Sequence, residues 1–132
     1  YLTMERSSVR YNYVAGVEMS AISDESAPQI THCNVSNNEE CGFQLSGFVA
    51  PEIHYNAIYS NGFTGAEYGI YLDAHQGTDT LHAENNFWGL NYDSEETIPI
   101  LIYDAHDAPA SIHAYVGFIP WLGDMPVEVP NP

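Results

Sequence analysis

Three short segments of this chain line up without gaps: Gly16-Val17-Glu18-Met19-Ser20, Gly42-Phe43-Gln44-Leu45-Ser46 and Gly69-Ile70-Tyr71-Leu72-Asp73, their glycines 26 and 27 residues apart. Each alternates apolar and polar residues after the glycine, the period of a strand with one buried face. Val9 and Val35 stand seven residues before the first two glycines, and Ile58 eleven before the third. Three residues after each comes an asparagine: Asn12, Asn38 and Asn61. Ile30, Ile53 and Leu81 make a further column. Apolar columns recurring every 23 to 28 residues describe a chain that coils with three strands per turn. Each turn buries its apolar face only against its neighbours. Unequal gaps are then loop insertions, with Gly62–Tyr68 in the place of the shorter Glu39-Glu40-Cys41.

Stacking explains the residue types. Turns about 4.8 Å apart bring equivalent side chains into ladders. Aliphatic ladders fill the interior, asparagines suit left-handed corners and can bond to the next rung, and glycines open strands at sharp bends. From residue 16 to 89, glycine, asparagine and β-branched residues are too dense for helices. A β-sandwich would not hold three columns in fixed order at one period.

The string Asn85-Asn86-Phe87-Trp88-Gly89, after coils of the Ile-x-x-Asn-x-Ile-x-x-Asn type, resembles the Asn-Asn-Trp-Trp-Gly segment that ends many right-handed parallel β-helix repeat proteins, the pectate-lyase-like solenoids. Ile98–Asp104 resembles their short capping segment, and Val116–Leu122 their closing strand. The resemblance implies an all-β, right-handed parallel β-helix of three strands per coil and about three coils, with a short C-terminal helical and aromatic cap. It is nearly silent on activity, because lyases, hydrolases, epimerases, adhesins and filament proteins share the coil.

The expected organisation is coils over residues 1–89, a cap over 90–123 and an extended proline-rich tail over 124–132, read as a linker stub. Phe87, Trp88 and Trp121 are the aromatic core of the cap, helped by Ile98, Ile100, Leu101, Ile102, Phe118, Ile119 and Leu122. Carboxylates in Asp93-Ser94-Glu95-Glu96-Thr97 and Pro99 in a first turn predict a short helix from Thr97 to Ala105. The N-terminal coil, with Leu2, Met4 and Val9 near the columns, shows no cap. Its partner is expected to be upstream coils of the same chain or a neighbouring copy. The chain opens on Tyr1 rather than Met, which reads as a processed or excised piece of something larger.

Charge narrows the partners. Eighteen acidic residues face Arg6 and Arg10 with no lysine, a net charge of −16. Phosphate backbones and anionic membrane surfaces are repelled. A hydrophobic content of 45% rules out a disordered acidic tail. No apolar run approaches the roughly 18 residues of a membrane span. Cys33 and Cys41 are either buried small hydrophobes or a disulfide in an oxidising compartment.

No complete catalytic set is legible. Asp73-Ala74-His75-Gln76 after Tyr71 resembles the Asp-Pro-His motif of β-helical alginate epimerases. That resemblance would give Tyr71 and His75 proton-handling roles beside Asp73. The proline is missing, the tyrosine spacing differs, and no lysine is there to neutralise a uronate. Pectate-lyase-like chemistry needs a cationic base beside calcium-binding aspartates, and only Arg6 and Arg10 offer one. Paired-carboxylate hydrolysis fails because the rung-mates of Asp73 are Ser20 and Ser46. The six histidines show no zinc spacing; His32 and His54 fall one position out of register. Calcium is the one cofactor considered, with Asp104, Asp107 and Glu84, or Asp93 with Glu95 and Glu96, as oxygen ligands. Tyr55, Tyr59, Tyr71 and Tyr92 are candidate glycan contacts, each offering an apolar ring face to a sugar, unless they ladder against one another. Asn34-Val35-Ser36 is a single glycosylation sequon.

The expectation is therefore a secreted or cell-surface β-solenoid module without catalysis, structural or glycan-contacting, that binds no nucleic acid and inserts in no membrane. The alternative is the C-terminal part of a polysaccharide lyase, epimerase or hydrolase whose catalytic residues lie upstream.

Overall fold

The computed structural model describes residues 3–21, 27–63 and 67–130; Leu2 and the insertion residues Thr64, Gly65 and Ala66 lie outside them. Strands β1 (Thr3–Glu5), β2 (Ser8–Arg10) and β3 (Ala15–Ala21) make the first coil. The second holds β4 (Gln29–Thr31), β5 (Asn34–Ser36) and β6 (Cys41–Gly47), and the third β7 (Glu52–His54), β8 (Ala57–Tyr59) and β9 (Ile70–His75). A fourth turn consists of β10 (Leu81–His82), Phe87 as a single bridge, and β11 (Ile102–Tyr103) after a long excursion. Finally β12 (Val116–Gly117) and a bridge at Leu122 start a fifth turn. All pairs are parallel and form three faces: β1-β4-β7-β10-β12, β2-β5-β8, and β3-β6-β9-β11.

The expected columns stack in register. Val9 lies opposite Val35 and Val35 opposite Ile58, and Val17, Phe43, Ile70 and Ile102 follow one another on the third face. From the second coil onward these residues are buried, and Met4, Val9, Val17 and Met19 of the first coil are only partly covered. The first-face column needs correction. His82 lies opposite Glu52, so Ala83 takes the rung beside Ile53, and Leu81 falls beside Pro51 and opposite Val116. Both Leu81 and Ala83 are buried. Apolar identity alone could not tell the register, because Leu81 and Ala83 are two apart, both apolar and both buried.

Corners are built from pairs. The left-handed residue is Arg6, His32, Tyr55 or Asn85 at the first corner and Tyr11, Asn37 or Ser60 at the second. The ladder asparagine is the residue that follows, which corrects the expectation that Asn12, Asn38 and Asn61 take that conformation themselves. At the second corner Asn12 donates from Nδ2 to Asn38 Oδ1 at 2.9 Å, and Asn38 likewise to Asn61 at 2.9 Å. The backbone N–H groups of Asn12 and Asn38 donate to the same oxygens. A second ladder runs along the first corner, where Cys33 N–H donates to Asn56 Oδ1 and Asn56 Nδ2 to Asn86 Oδ1. Asn38, Asn56 and Asn86 are fully buried.

Trp88 follows the bridge residue Phe87 and so tops the Val9-Val35-Ile58 column. A Cβ on Gly69 would come within 3.0 Å of Ile58 and 3.2 Å of the Trp88 ring, so this strand opening takes no side chain. The rest of the end is closed by buried Ile98, Leu101, Ile102, Ile112, Ala114 and Val116. Other cap residues sit differently from expectation. Phe87 belongs to the second face, pairing with Ala57 and Leu122. Trp121 is only half-buried, against Phe118, and Ile100 and Ile119 are exposed. The 118–122 segment continues the fifth turn, which no further strand covers among the described residues. The expected helix over 97–105 shrinks to a single 3-10 turn, Ile98–Leu101. Ile102 and Tyr103 are drawn into β11 opposite Ile70 and Tyr71, which leaves no room for further helical turns.

The tail is not a free linker stub. It folds back along the second face, where Asn34 Nδ2 donates to the Pro130 carbonyl at 2.9 Å and Arg6 pairs with Glu128 at 3.3 Å. Asn34, Ala57 and Phe87 share one outward column of that face and all are buried. The sequon asparagine is therefore covered. Asn131 and Pro132 lie outside the described residues.

Asn38→Ala removes a donor and an acceptor from a buried ladder and is expected to cost about 1–3 kcal/mol in urea unfolding. Trp88→Ala is expected to cost about 3–5 kcal/mol, and Trp121→Ala clearly less because that ring is half-exposed. Equal losses for the two tryptophans would contradict this account of the cap.

Candidate functional site

Of the four candidate glycan tyrosines, two meet. Tyr59 ends β8 on the outward side, in the rung after Ser36. Its hydroxyl takes a long hydrogen bond from Asn34 Nδ2 at 3.4 Å, and its ring tilts against Phe87 at 6.2 Å. Tyr92 is brought alongside by the turn at Gly89. That residue has φ +106°, and a Cβ on it would stand 3.4 Å from Tyr59 Cβ. The Tyr92 hydroxyl donates to Glu67 Oε2 at 2.8 Å, and this bond, with burial second, pushes its pKa up.

Between the two rings runs a cleft in two lobes. One, of about 380 Å³, is lined on its far side by Asn37, Asn61, Phe63 and Glu67. The other, of about 410 Å³, is lined by Trp88, Leu90, Asp124 and Met125. Tyr59, Ser60, Asn91 and Tyr92 border both lobes. The lining holds two carboxylates, amides and hydroxyls, and no cationic side chain. The buried indole N–H of Trp88 has no acceptor among the described residues.

The other two tyrosines are engaged with neighbours. Tyr55 stacks on His32 at 5.7 Å. Tyr71 stacks on Tyr103 at 4.6 Å, and Tyr68 packs against both at 5.3 and 5.4 Å. Each therefore has one ring face occupied. Burial is the leading cause that raises the pKa of Tyr68 and Tyr71.

Asp73, His75 and Tyr71 do not converge. Tyr71 and Asp73 point outward, where Asp73 accepts from Gln44 Nε2 at 3.0 Å. The ladder then shifts register: Leu45 faces Leu72 but Gly47 faces His75, with Ala74 at φ +52°. This bulge turns His75 into the interior, where Nε2 donates to the Val49 carbonyl at 2.7 Å. Gly77 lies so close that a Cβ would be 2.8 Å from the His75 ring. A proton relay among the three lacks the necessary geometry.

The proposed calcium ligands are also placed apart or engaged. Asp104 is buried and accepts from the N–H groups of Val116 and His106, while Asp107 accepts from Asp104 N–H. These bonds seat β12 and leave the carboxylates facing donors. Asp93, Glu95 and Glu96 are exposed. Among the described residues no three His, Cys, Asp or Glu side chains gather in a way that could hold a metal ion.

One ionic cluster escaped sequence reading. On the first face, His54 bonds Glu52 at 3.0 Å and the Glu84 carbonyl at 2.8 Å, and His82 bonds the Glu84 carboxylate at 3.1 Å. Glu52 and His54, and His82 and Glu84, are each two apart in sequence, and coil stacking brings the two pairs together. The hydrogen bond to Glu84 raises the His82 pKa, with burial opposing it. Both cysteines are free and buried, so no disulfide forms between them. Burial first, then Glu40, Glu18 and Asp73, pushes the Cys41 thiol up to about 11, and burial raises Cys33 as well.

A family described as right-handed β-helix region matches residues 1–92. The chain belongs to that family. The match spans the three complete coils and ends at Tyr92, the far wall of the cleft. No curated protein and no solved structure matches the chain. In this β-helix the third-face strands are longest, and the cleft lies just before them, where the second corner meets the excursion of the fourth turn. Tyr59 and Tyr92 were legible as outward aromatics. Asp124 and Met125 were not, because their place depends on the tail folding back.

Two measurements check this electrostatic picture. Folding favours the protonated form of His82, so its contribution is complete below the unfolded value of about 6.5 and is lost as pH rises through the higher folded value. Glu84→Gln should lower the His82 midpoint in an NMR titration and flatten the fall of stability above that pH. Both thiols should resist a disulfide reagent at pH 8 in the native protein and react at once in denaturant; rapid native reaction at Cys41 would show that the thiol is not held as described.

Proposed function

We propose that this β-helix is a non-catalytic extracellular or cell-surface module that contacts an uncharged glycan through the Tyr59–Tyr92 cleft. The observation that carries the reading is the pair of tyrosine walls around amide, hydroxyl and carboxylate groups with no cation in the lining. Aromatic faces pack on the apolar C–H face of a sugar ring, and its hydroxyls need both donors and acceptors. Asn91 and Ser60 supply both kinds, and Glu67 and Asp124 supply acceptors. Carboxylates in the lining and a net charge of −16 disfavour acidic polysaccharides. The separation of His75 from Tyr71 and Asp73 supports the absence of chemistry on this face.

The open first coil belongs to the same reading. The outer edges of β1, β2 and β3 pair with nothing among the described residues, above the half-covered Met4, Val9 and Val17. A further coil, from the same chain or a neighbouring copy, fits such an edge by continuing the parallel ladder.

Calorimetric titration with uncharged hexasaccharides of glucose, xylose and mannose tests the glycan reading. At least one should bind, and Tyr92→Ala should weaken it about tenfold, equivalent to about 1.4 kcal/mol. Tyr55→Ala, on a stacked corner ring, should bind as the parent does. No binding by the parent chain, or equal binding by Tyr92→Ala, would overturn the proposal.

A further inference from the structure

The proline-rich tail touches both the cleft and the opposite end of the solenoid. Asp124 and Met125 line the cleft lobe that contains Trp88. Five residues on, Pro130 accepts from Asn34 of the second coil, and Glu128 meets Arg6 of the first. The tail therefore runs back across the second face, with one end at the cleft and its anchors several rungs away. Asn34 links the two ends, since the amide that donates to Pro130 also reaches the hydroxyl of the cleft wall Tyr59.

The fastening is light. The Arg6–Glu128 pair is about half exposed on both sides, at 55% and 51%. Exposed pairs of this kind contribute little and are screened by salt. Glu128 sits at φ +75°, a left-handed conformation with a backbone cost for a non-glycine residue, and unlike the corner residues it has no coil ladder around it. Val127 is 85% exposed and adds almost no apolar anchorage. Met125, Pro126, Val129 and Pro130 are half-buried and none of the segment is fully buried. One hydrogen bond to Asn34, one surface ion pair and partial apolar cover hold it, which places it toward the low-stability end of the fold.

We propose that residues 124–130 form a displaceable strap that gates the Tyr59–Tyr92 cleft from its Trp88 side. Closed, the strap makes Asp124 and Met125 a wall of the cleft. Released at Glu128 and Pro130, it uncovers the Trp88 lobe and lets a chain longer than a single sugar lie across the second face. That ligand role rests on the glycan reading of the cleft, whereas the strap itself does not.

The test uses the full chain in a Trp121→Phe background, so that Trp88 alone reports. Acrylamide quenching of Trp88 should rise in Glu128→Lys, which places like charge against Arg6, and with added salt in the parent. Loss of a surface pair corresponds to about a two- to fivefold larger open fraction. Arg6→Glu should behave like Glu128→Lys, and Arg6→Glu with Glu128→Arg should restore the protected state and its salt sensitivity. Quenching that is unchanged by Glu128→Lys and by salt, or no rescue by the swapped pair, would overturn the strap. A second arm titrates the same variants with the uncharged hexasaccharides and the matching monosaccharides. Hexasaccharide affinity should rise with the open fraction while monosaccharide affinity stays level. If no sugar binds any variant, the glycan reading fails on its own, and the quenching result still decides whether the strap opens.

Discussion

Two of the three corners of this solenoid depend on asparagine amides stacked from coil to coil. Where the chain turns from the first face to the second and from the second to the third, backbone N–H and carbonyl groups leave the strand ladders and are met by these side chains. Asn38 answers with its side chain, donating to the carbonyls of Val9 and Ser36 while its oxygen takes two donors from Asn12. Asn56 and Asn86 do the same at the other corner. An amide carries a donor and an acceptor in one rigid plane, so a stack of them satisfies several coils at once. Register follows from this: each amide must sit over the next, and the aliphatic columns between corners are held in step.

Coil registration then decides the outer surface. Once the rungs are aligned, residues distant in sequence become neighbours on a face, as Tyr71 and Tyr103 do, or His54, His82 and Glu84. A bulge at Ala74 interrupts this rule once and turns His75 inward, which separates it from Asp73 and Tyr71. One residue of extra backbone thus takes His75 out of phase with its outward neighbours. The cleft forms at the corner where the fourth turn makes its excursion.

The tail adds a layer that the repeat does not contain. Its contacts with Asn34 and Arg6 lie along the second face, and its first residues line one lobe of the cleft. A cleft and a segment that lines part of it thus occur in one chain, and the Asn34 amide touches both.

The sequence by itself determined the coil. Period, strand alternation, the Val9-Val35-Ile58 and Val17-Phe43-Ile70 columns and the Asn12-Asn38-Asn61 ladder were all legible, because stacking demands the same residue type at the same rung each turn. It also marked Tyr59 and Tyr92 as outward rings. Tertiary structure alone decided the rest: that Ala83 rather than Leu81 follows Ile53, that residues 102–103 extend a sheet in place of a helix, that His75 points inward, and that the tail returns to the first coil. Each depends on contacts between residues with no shared period, and a repeat pattern carries information only about positions that recur.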